Sequence, residues 1–195
     1  IFSNTMKYLG GKQKLGKHIA KVILEYSSKY NSDTYIEPFC GALGVLIHMS
    51  PYFKKVYASD YHCDLIEMWE GVKTDTFKPP NIISESRYKS IKEMESPNAL
   101  KAFAGFGLSF GGRFFGSYAQ KYTNGKKEDF LKEAQNSLKK KRPYILNVNF
   151  KCLDYKKLKP KKSIIYCDPP YAYNKHPIKY RRDTKEYDKF DNEEF

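Results

Sequence analysis

The chain holds no Cys-x-x-Cys pair: its four cysteines stand apart at 40, 63, 152 and 167, each beside apolar residues. That scatter argues against a thiolate metal site and reads as four buried free thiols in the reducing cytoplasm. His18, His48, His62 and His176 also lack metal-ligand spacing, so no metal is expected. No apolar run approaches the length of a membrane span and no signal-peptide pattern opens the chain, which points away from a membrane or secreted protein. Residues 1–5 precede Met6, which reads as the natural start with leftover residues ahead of it. Acidic charge is in short supply: 22 Asp and Glu face 35 Lys and Arg, a formal net charge of +13. Such an excess suits phosphate backbones, through counterion release. At 195 residues there is room for one moderate core with an insertion.

What is present begins with a strand, a tight turn and a helix. Asp33-Thr34-Tyr35-Ile36-Glu37-Pro38-Phe39-Cys40-Gly41-Ala42-Leu43-Gly44-Val45-Leu46-Ile47 runs from β-branched and aromatic residues through a glycine turn into an apolar helix. A dinucleotide loop needs three spaced glycines for the pyrophosphate, and this one has only Gly41 and Gly44, so the ligand carries no phosphate. A second strand over 55–59 ends at Asp60, 23 residues past Glu37, where an acid can hold a ribose diol. A nucleoside with free hydroxyls and no phosphate describes S-adenosylmethionine. Taken alone, an acid at a strand end is a surface residue.

The apolar run Ser163-Ile164-Ile165-Tyr166-Cys167 leads directly into Asp168-Pro169-Pro170-Tyr171. An adenine amino nitrogen is a poor nucleophile because its lone pair is delocalised into the ring. The Asp168 carboxylate and Pro169 carbonyl can accept hydrogen bonds from that amino group and draw it towards tetrahedral geometry. The two prolines restrict φ and remove donors, leaving a rigid turn whose carbonyls share a direction. The Tyr171 ring can stack on the base. The plain alternative is a Pro-Pro turn that merely ends a strand.

Together Tyr8-Leu9-Gly10-Gly11-Lys12, Glu37-Pro38-Phe39-Cys40-Gly41, Asp60 and Asp168-Pro169-Pro170-Tyr171 resemble, in order, the Dam-like (alpha class) DNA adenine methyltransferases. The likeness spans nearly the whole chain. It implies a three-layer, Rossmann-like α/β sheet with an inserted, mainly helical target-recognition lobe, S-adenosylmethionine as methyl donor, and double-stranded DNA as substrate. Carried over by position, it puts Tyr8 and Gly10 at the donor pocket and Lys12 between donor and DNA. Glu37, Pro38, Phe39, Gly41 and Ala42 line the methionine side, Asp60 takes the ribose, and Asp154 and Tyr155 stand beside the donor's adenine. Asp168, Pro169, Pro170 and Tyr171 form the catalytic corner, with Asp168 also touching the donor. Leu43 departs from the glycine common in the family. Members also continue well beyond the Asp-Pro-Pro-Tyr turn, so the sheet carried by these residues is expected to be incomplete.

The chain then divides into a donor-binding half over residues 1–75, an inserted recognition region over 76–143, and a return to the catalytic domain over 144–195. Inside the insertion, Phe103-Ala104-Gly105-Phe106-Gly107-Leu108-Ser109-Phe110-Gly111-Gly112-Arg113-Phe114-Phe115-Gly116-Ser117-Tyr118 interleaves aromatics with glycines. Such a stretch either packs a small helical unit or reads DNA and fills the gap left by a flipped base. Family position favours DNA, with Phe110 and Arg113 as contacts beside Lys12. The runs Lys139-Lys140-Lys141-Arg142 and 156–162 read as solvated faces with some phosphate-tracking capacity, and residues 176–189 as a loop over the site. An opening helix is expected to bury Leu15, Ile19, Val22, Ile23 and Tyr26, and two further strands are expected over 144–150 and 163–167. Two rival functions remain: a base methyltransferase on structured RNA, separated by substrate swap, and a non-catalytic nucleic-acid-binding relative, which would bind DNA but transfer nothing.

Overall fold

The computed structural model describes residues 6–170, apart from 121, 124, 125 and 128. Its centre is a parallel sheet of four strands, β1 (Thr34–Glu37), β2 (Lys55–Asp60), β5 (Val148–Cys152) and β6 (Ile164–Ile165), in the order β5-β2-β1-β6. In β1 and β2 the register sets Tyr35 against Val56 and Glu37 against Ala58, and in β2 and β5 it sets Asp60 against Cys152. The two middle strands are buried at Tyr35, Ile36, Val56 and Ala58, as parallel strands covered on both faces must be. Because all strands run the same way, all their carboxyl ends open on one edge, and that edge is where ligands bind in such sheets.

The expected strands over 34–37 and 55–59 are present, the second one residue longer. The other two are shorter than expected. Tyr144 belongs to a 3-10 turn (Arg142–Tyr144), and the amides of Ile145 and Val148 donate back to the Arg142 and Ile145 carbonyls, so the strand starts only at Val148. Only Ile164 and Ile165 pair with β1, through Tyr35 and Ile36. The apolar helix after the glycine turn is a single turn, α2 (Leu46–Met49), which passes into a 3-10 turn at Ser50–Tyr52.

Helix α1 (Gly16–Ser27) corrects the expected face. Gly16 and Ala20 are its buried residues, with Ile19, Ile23 and Leu24 packed against the core, while Leu15, Val22 and Tyr26 are exposed. The docking point is Gly16, where a Cβ would overlap the Gly44 carbonyl oxygen. Backbone approach, rather than the largest apolar side chains, therefore sets the rotation of α1.

Residues 76–143 contribute α4 (Glu85–Lys92), α5 (Ala99–Gly107), the hairpin β3 (Tyr122–Thr123) with β4 (Lys126–Lys127), and α6 (Phe130–Lys141). Ser84, Asn98 and Asp129 cap the three helices by accepting first-turn amides. Phe103, Phe106, Phe115, Phe130 and Leu138 from this region join the same hydrophobic core as Tyr35, Leu46 and Trp69. Each such buried apolar side chain contributes roughly 1.5–3 kcal/mol. Gly105 leaves room for the Phe114 and Phe115 rings, and Gly107 for Ala134. The aromatic and glycine stretch thus splits: 103–108 is core, whereas Phe110 and Arg113 lie on the surface.

The cysteine expectation is corrected as well. Cys63, at the start of α3 (Cys63–Thr74), is disulfide-bonded to Cys152 at the end of β5. Their 89-residue separation hides a neighbourhood that the β2–β5 register creates. Cys40 is a buried free thiol as expected, but the free Cys167 is exposed. No helix among the described residues is long and apolar enough to cross a membrane.

Candidate active site

Along the carboxyl edge the strands deliver, in spatial order, Asp154 and Tyr155 after β5, Asp60 at the end of β2, Glu37 and the loop 38–44 after β1, and Asp168 after β6. Residues spread over more than a hundred positions become a row because parallel strands end together. Tyr171 and the stretch 176–189 lie outside the described residues.

The loop after β1 is held from several sides. Cys40 N–H donates to the Ser59 carbonyl at 2.9 Å and Leu43 N–H to the Cys40 carbonyl at 2.8 Å. Gly41 adopts φ +44° and Leu43 φ +61°, so Leu43 takes the left-handed conformation that a glycine would enter without strain. Gly41 N–H donates to Asp60 Oδ2 at 3.0 Å, and His62 N–H donates to Asp60 Oδ1 at 3.0 Å. Asp60 thereby ties the loop to the β2 end. Sequence reasoning missed two further supports. The Trp69 indole donates to the Gly41 carbonyl at 2.9 Å, and the Lys141 ammonium to the Ala42 carbonyl at 2.7 Å.

Aromatic rings flank this loop. Phe39 meets Tyr155 with centroids 5.3 Å apart, joining the β1 and β5 ends. On the other side the Tyr8 ring lies against Gly41, where a Cβ would come within 3.0 Å of it, and also against Phe106 at 4.8 Å. Behind Phe106, His62 packs edge-on against the Phe106 and Phe114 rings, and burial pushes its pKa down to about 4, leaving a neutral imidazole. Phe110 is 60% exposed on a turn that carries Gly111 and Gly112, both at φ +71°. That turn leans on the N-terminal segment: Leu9 N–H donates to the Gly112 carbonyl, and a Cβ on Gly112 would overlap the Tyr8 amide. The exposed Phe110 and Arg113 therefore stand beside the segment that carries Lys12.

The charge pattern is concentrated at two acids. Lys12 Nζ lies 2.7 Å from Asp168 Oδ2 and also donates to the Gly10 carbonyl at 2.8 Å, so the glycine-rich segment delivers a cation to the carboxylate after β6. Both side chains keep partial exposure, 18% each. Glu37 is 3% exposed and accepts the Tyr35 hydroxyl at 2.9 Å. Burial pushes its pKa up to about 8; the Tyr35 bond opposes the rise and the Asp168 charge adds to it. At neutral pH Glu37 is largely a protonated acid, and one of its oxygens already accepts a bond from Tyr35.

The site therefore has an anionic acceptor braced by a lysine, a rigid proline turn, a backbone cradle with positive-φ residues, and aromatic walls. This set is suited to holding a nucleoside and presenting a second planar ring to it. Residues 8–106 match the D12 class N6 adenine-specific DNA methyltransferase family, a span that contains Tyr8 to Lys12, the loop after β1 and Asp60 and that stops before Asp168. No curated protein matches this chain. With the match covering half of its length, the chain belongs to the D12 class N6 adenine-specific DNA methyltransferase family.

Proposed function

We propose that this protein transfers a methyl group from S-adenosylmethionine to the exocyclic amino nitrogen of an adenine flipped out of double-stranded DNA, at specific sites. The observation that carries the reading is the position of Asp168. It follows the strand next to β1, one strand away from the loop at 38–44, and it is braced by Lys12 at 2.7 Å. The Gly41 and Ala42 backbone, Glu37, Pro38 and Phe39 support the methionine end of the donor. Asp60, at the end of β2, takes the ribose diol, and Asp154 and Tyr155 flank the donor's adenine. Tyr8 and Gly10 close the pocket from the N-terminal side.

The donor supplies an electrophilic methyl carbon on a sulfonium. Asp168 and the Pro169 carbonyl accept the two amino hydrogens of the target adenine, localising its nitrogen lone pair. That nitrogen forms the new bond to the methyl carbon as the carbon–sulfur bond breaks, the pair of electrons leaving on sulfur as a thioether. One amino proton then departs by way of the Asp168 carboxylate to solvent. Lys12 holds the carboxylate in one orientation, which is the pre-organisation that makes such an acceptor effective. Pro170 stiffens the turn, Tyr171 stacks on the base, and Phe110 and Arg113 contact the duplex from which the base has left.

Asp168→Ala should lower methyl transfer by roughly 10²–10³-fold or more while lowering affinity for S-adenosylhomocysteine much less, by no more than about tenfold, equivalent to ~1.4 kcal/mol. The measurement is mass analysis of nucleosides from digested DNA after incubation with protein and donor, with calorimetric titration of the thioether product alongside. Undiminished N6-methyladenine in the variant removes Asp168 from the chemistry. Methylation of structured RNA in place of duplex DNA, or no transfer by the unaltered protein, overturns the substrate assignment or the enzymatic one.

A further inference from the structure

The run Lys139-Lys140-Lys141-Arg142 looks uniform in sequence and is divided in space. Lys139 and Lys140 are exposed, whereas Lys141 is 3% exposed, as deep as the core leucines. Burying a lysine is costly unless its ammonium is engaged. The engagement here is with the donor loop: Nζ donates to the Ala42 carbonyl at 2.7 Å and lies 5.3 Å from the centroid of the Trp69 ring. Trp69 in turn donates to the preceding carbonyl, Gly41, at 2.9 Å. Two consecutive carbonyls of one tight turn are thus each held from below by a buried side chain, and the two holders face each other as cation and ring.

The peptide that joins Ala42 to Leu43 links this bracing to the shape of the turn. Its carbonyl accepts from Lys141, and its N–H donates to the Cys40 carbonyl at 2.8 Å, closing the turn over Gly41 and Ala42. A donor on the carbonyl side polarises the amide and strengthens the N–H bond on the other side. The same residue, Leu43, is the one held at φ +61°, which disfavours any side chain with a Cβ. The fully buried Leu43 side chain anchors it there, and the bond from Lys141 opposes relaxation of that peptide. Burial brings the Lys141 pKa down to about 7, and the amine donates to a carbonyl whether charged or neutral.

We infer that Lys141, ninety-nine residues from the loop it supports and at the last turn of α6, is a positioning residue for the methyl-donor pocket: it holds the Ala42–Leu43 peptide in the geometry that receives the donor. The inference rests on the donor-binding role given above to the loop after β1. It also makes the C-terminal end of α6 responsive to donor, because a ligand that rigidifies the loop rigidifies its brace.

Lys141→Met keeps the aliphatic stem and removes the donor. It should raise KM for S-adenosylmethionine about tenfold, equivalent to ~1.4 kcal/mol, with kcat at saturating donor and KM for DNA changed by less than about twofold. Lys141→Arg, which restores a cationic donor, should recover part of the loss. Loss of a residue that served folding alone would lower melting temperature and, through a smaller folded fraction, apparent kcat, while leaving KM for donor and for DNA unchanged; that result overturns the inference. In the unaltered protein, S-adenosylhomocysteine should slow hydrogen exchange in the peptide spanning residues 138–142. If Lys141→Met does not fold, absence of that protection overturns the inference instead. Failure of the unaltered protein to bind the thioether at all is a different result, and it overturns the donor-loop reading itself.

Discussion

Glu37 shows how one buried group can dominate the pH behaviour of a site. Its carboxyl is raised from an ordinary 4.5 to about 8 by burial, so the folded state keeps a proton that the unfolded chain gives up. Stability contributed by that proton is fully present below pH 4.5 and declines as pH rises through about 8. Glu37→Gln cannot ionise and its amide oxygen can still accept the Tyr35 hydroxyl. The variant should therefore melt close to the unaltered protein at pH 5 and above it at pH 8, by an amount on the order of 1 kcal/mol or more. His62 and Lys141 also have shifted pKa values, but both are present in the two proteins, so the difference between the melting curves isolates position 37. Parallel pH profiles would show that the carboxyl is ionised in the folded state. The family resemblance singled out Glu37 from sequence; its protonation state came only with the Tyr35 bond, the burial and the Asp168 charge across the strand gap.

Among the elements, α1 carries the clearest mechanical consequence. Gly16 sits against the Gly44 carbonyl and its own N–H donates to the Lys12 carbonyl at 2.6 Å. Gly16→Ala pushes the helix start away from the donor loop and moves the segment that brings Lys12 to Asp168. Overpacking of this kind costs about 1–3 kcal/mol, and a chain of this size shifts by roughly 2–4 °C per kcal/mol. Scanning calorimetry should show a fall of about 2–12 °C by the product of those two ranges, together with reduced methyl transfer at temperatures where the variant is still folded. Unchanged melting would mean that α1 does not dock through this glycine. The apolar pattern of α1 was legible as amphipathic, yet its rotation was not, because Leu15, Val22 and Tyr26 are as apolar as the residues that pack. Periodicity registers hydropathy, and close backbone approach leaves no hydropathy signal.

For the molecule as a whole, the relevant quantity is charge. A formal +13 over 195 residues supplies the field for DNA association. Binding to a non-specific duplex should weaken on the order of a hundredfold between about 50 and about 200 mM monovalent salt, the signature of released counterions. A flat salt dependence in a fluorescence-anisotropy titration would separate the basic excess from DNA binding.

The chain's own residue order was sufficient for the family, the parallel α/β class, the two central strands and the row of acids. Those signals are local: an alternating strand, a glycine turn and a proline corner are written in consecutive residues and need no distant partner to be read. Four things depended on the tertiary structure: the Cys63–Cys152 bond, the Lys12–Asp168 pair, the split of the glycine and aromatic stretch into core and surface, and the burial of one lysine in a basic run. Each is a meeting of segments far apart in sequence, brought together by parallel strand register and helix docking. Neither the spacing of residues along the chain nor their individual chemistry encodes such proximity.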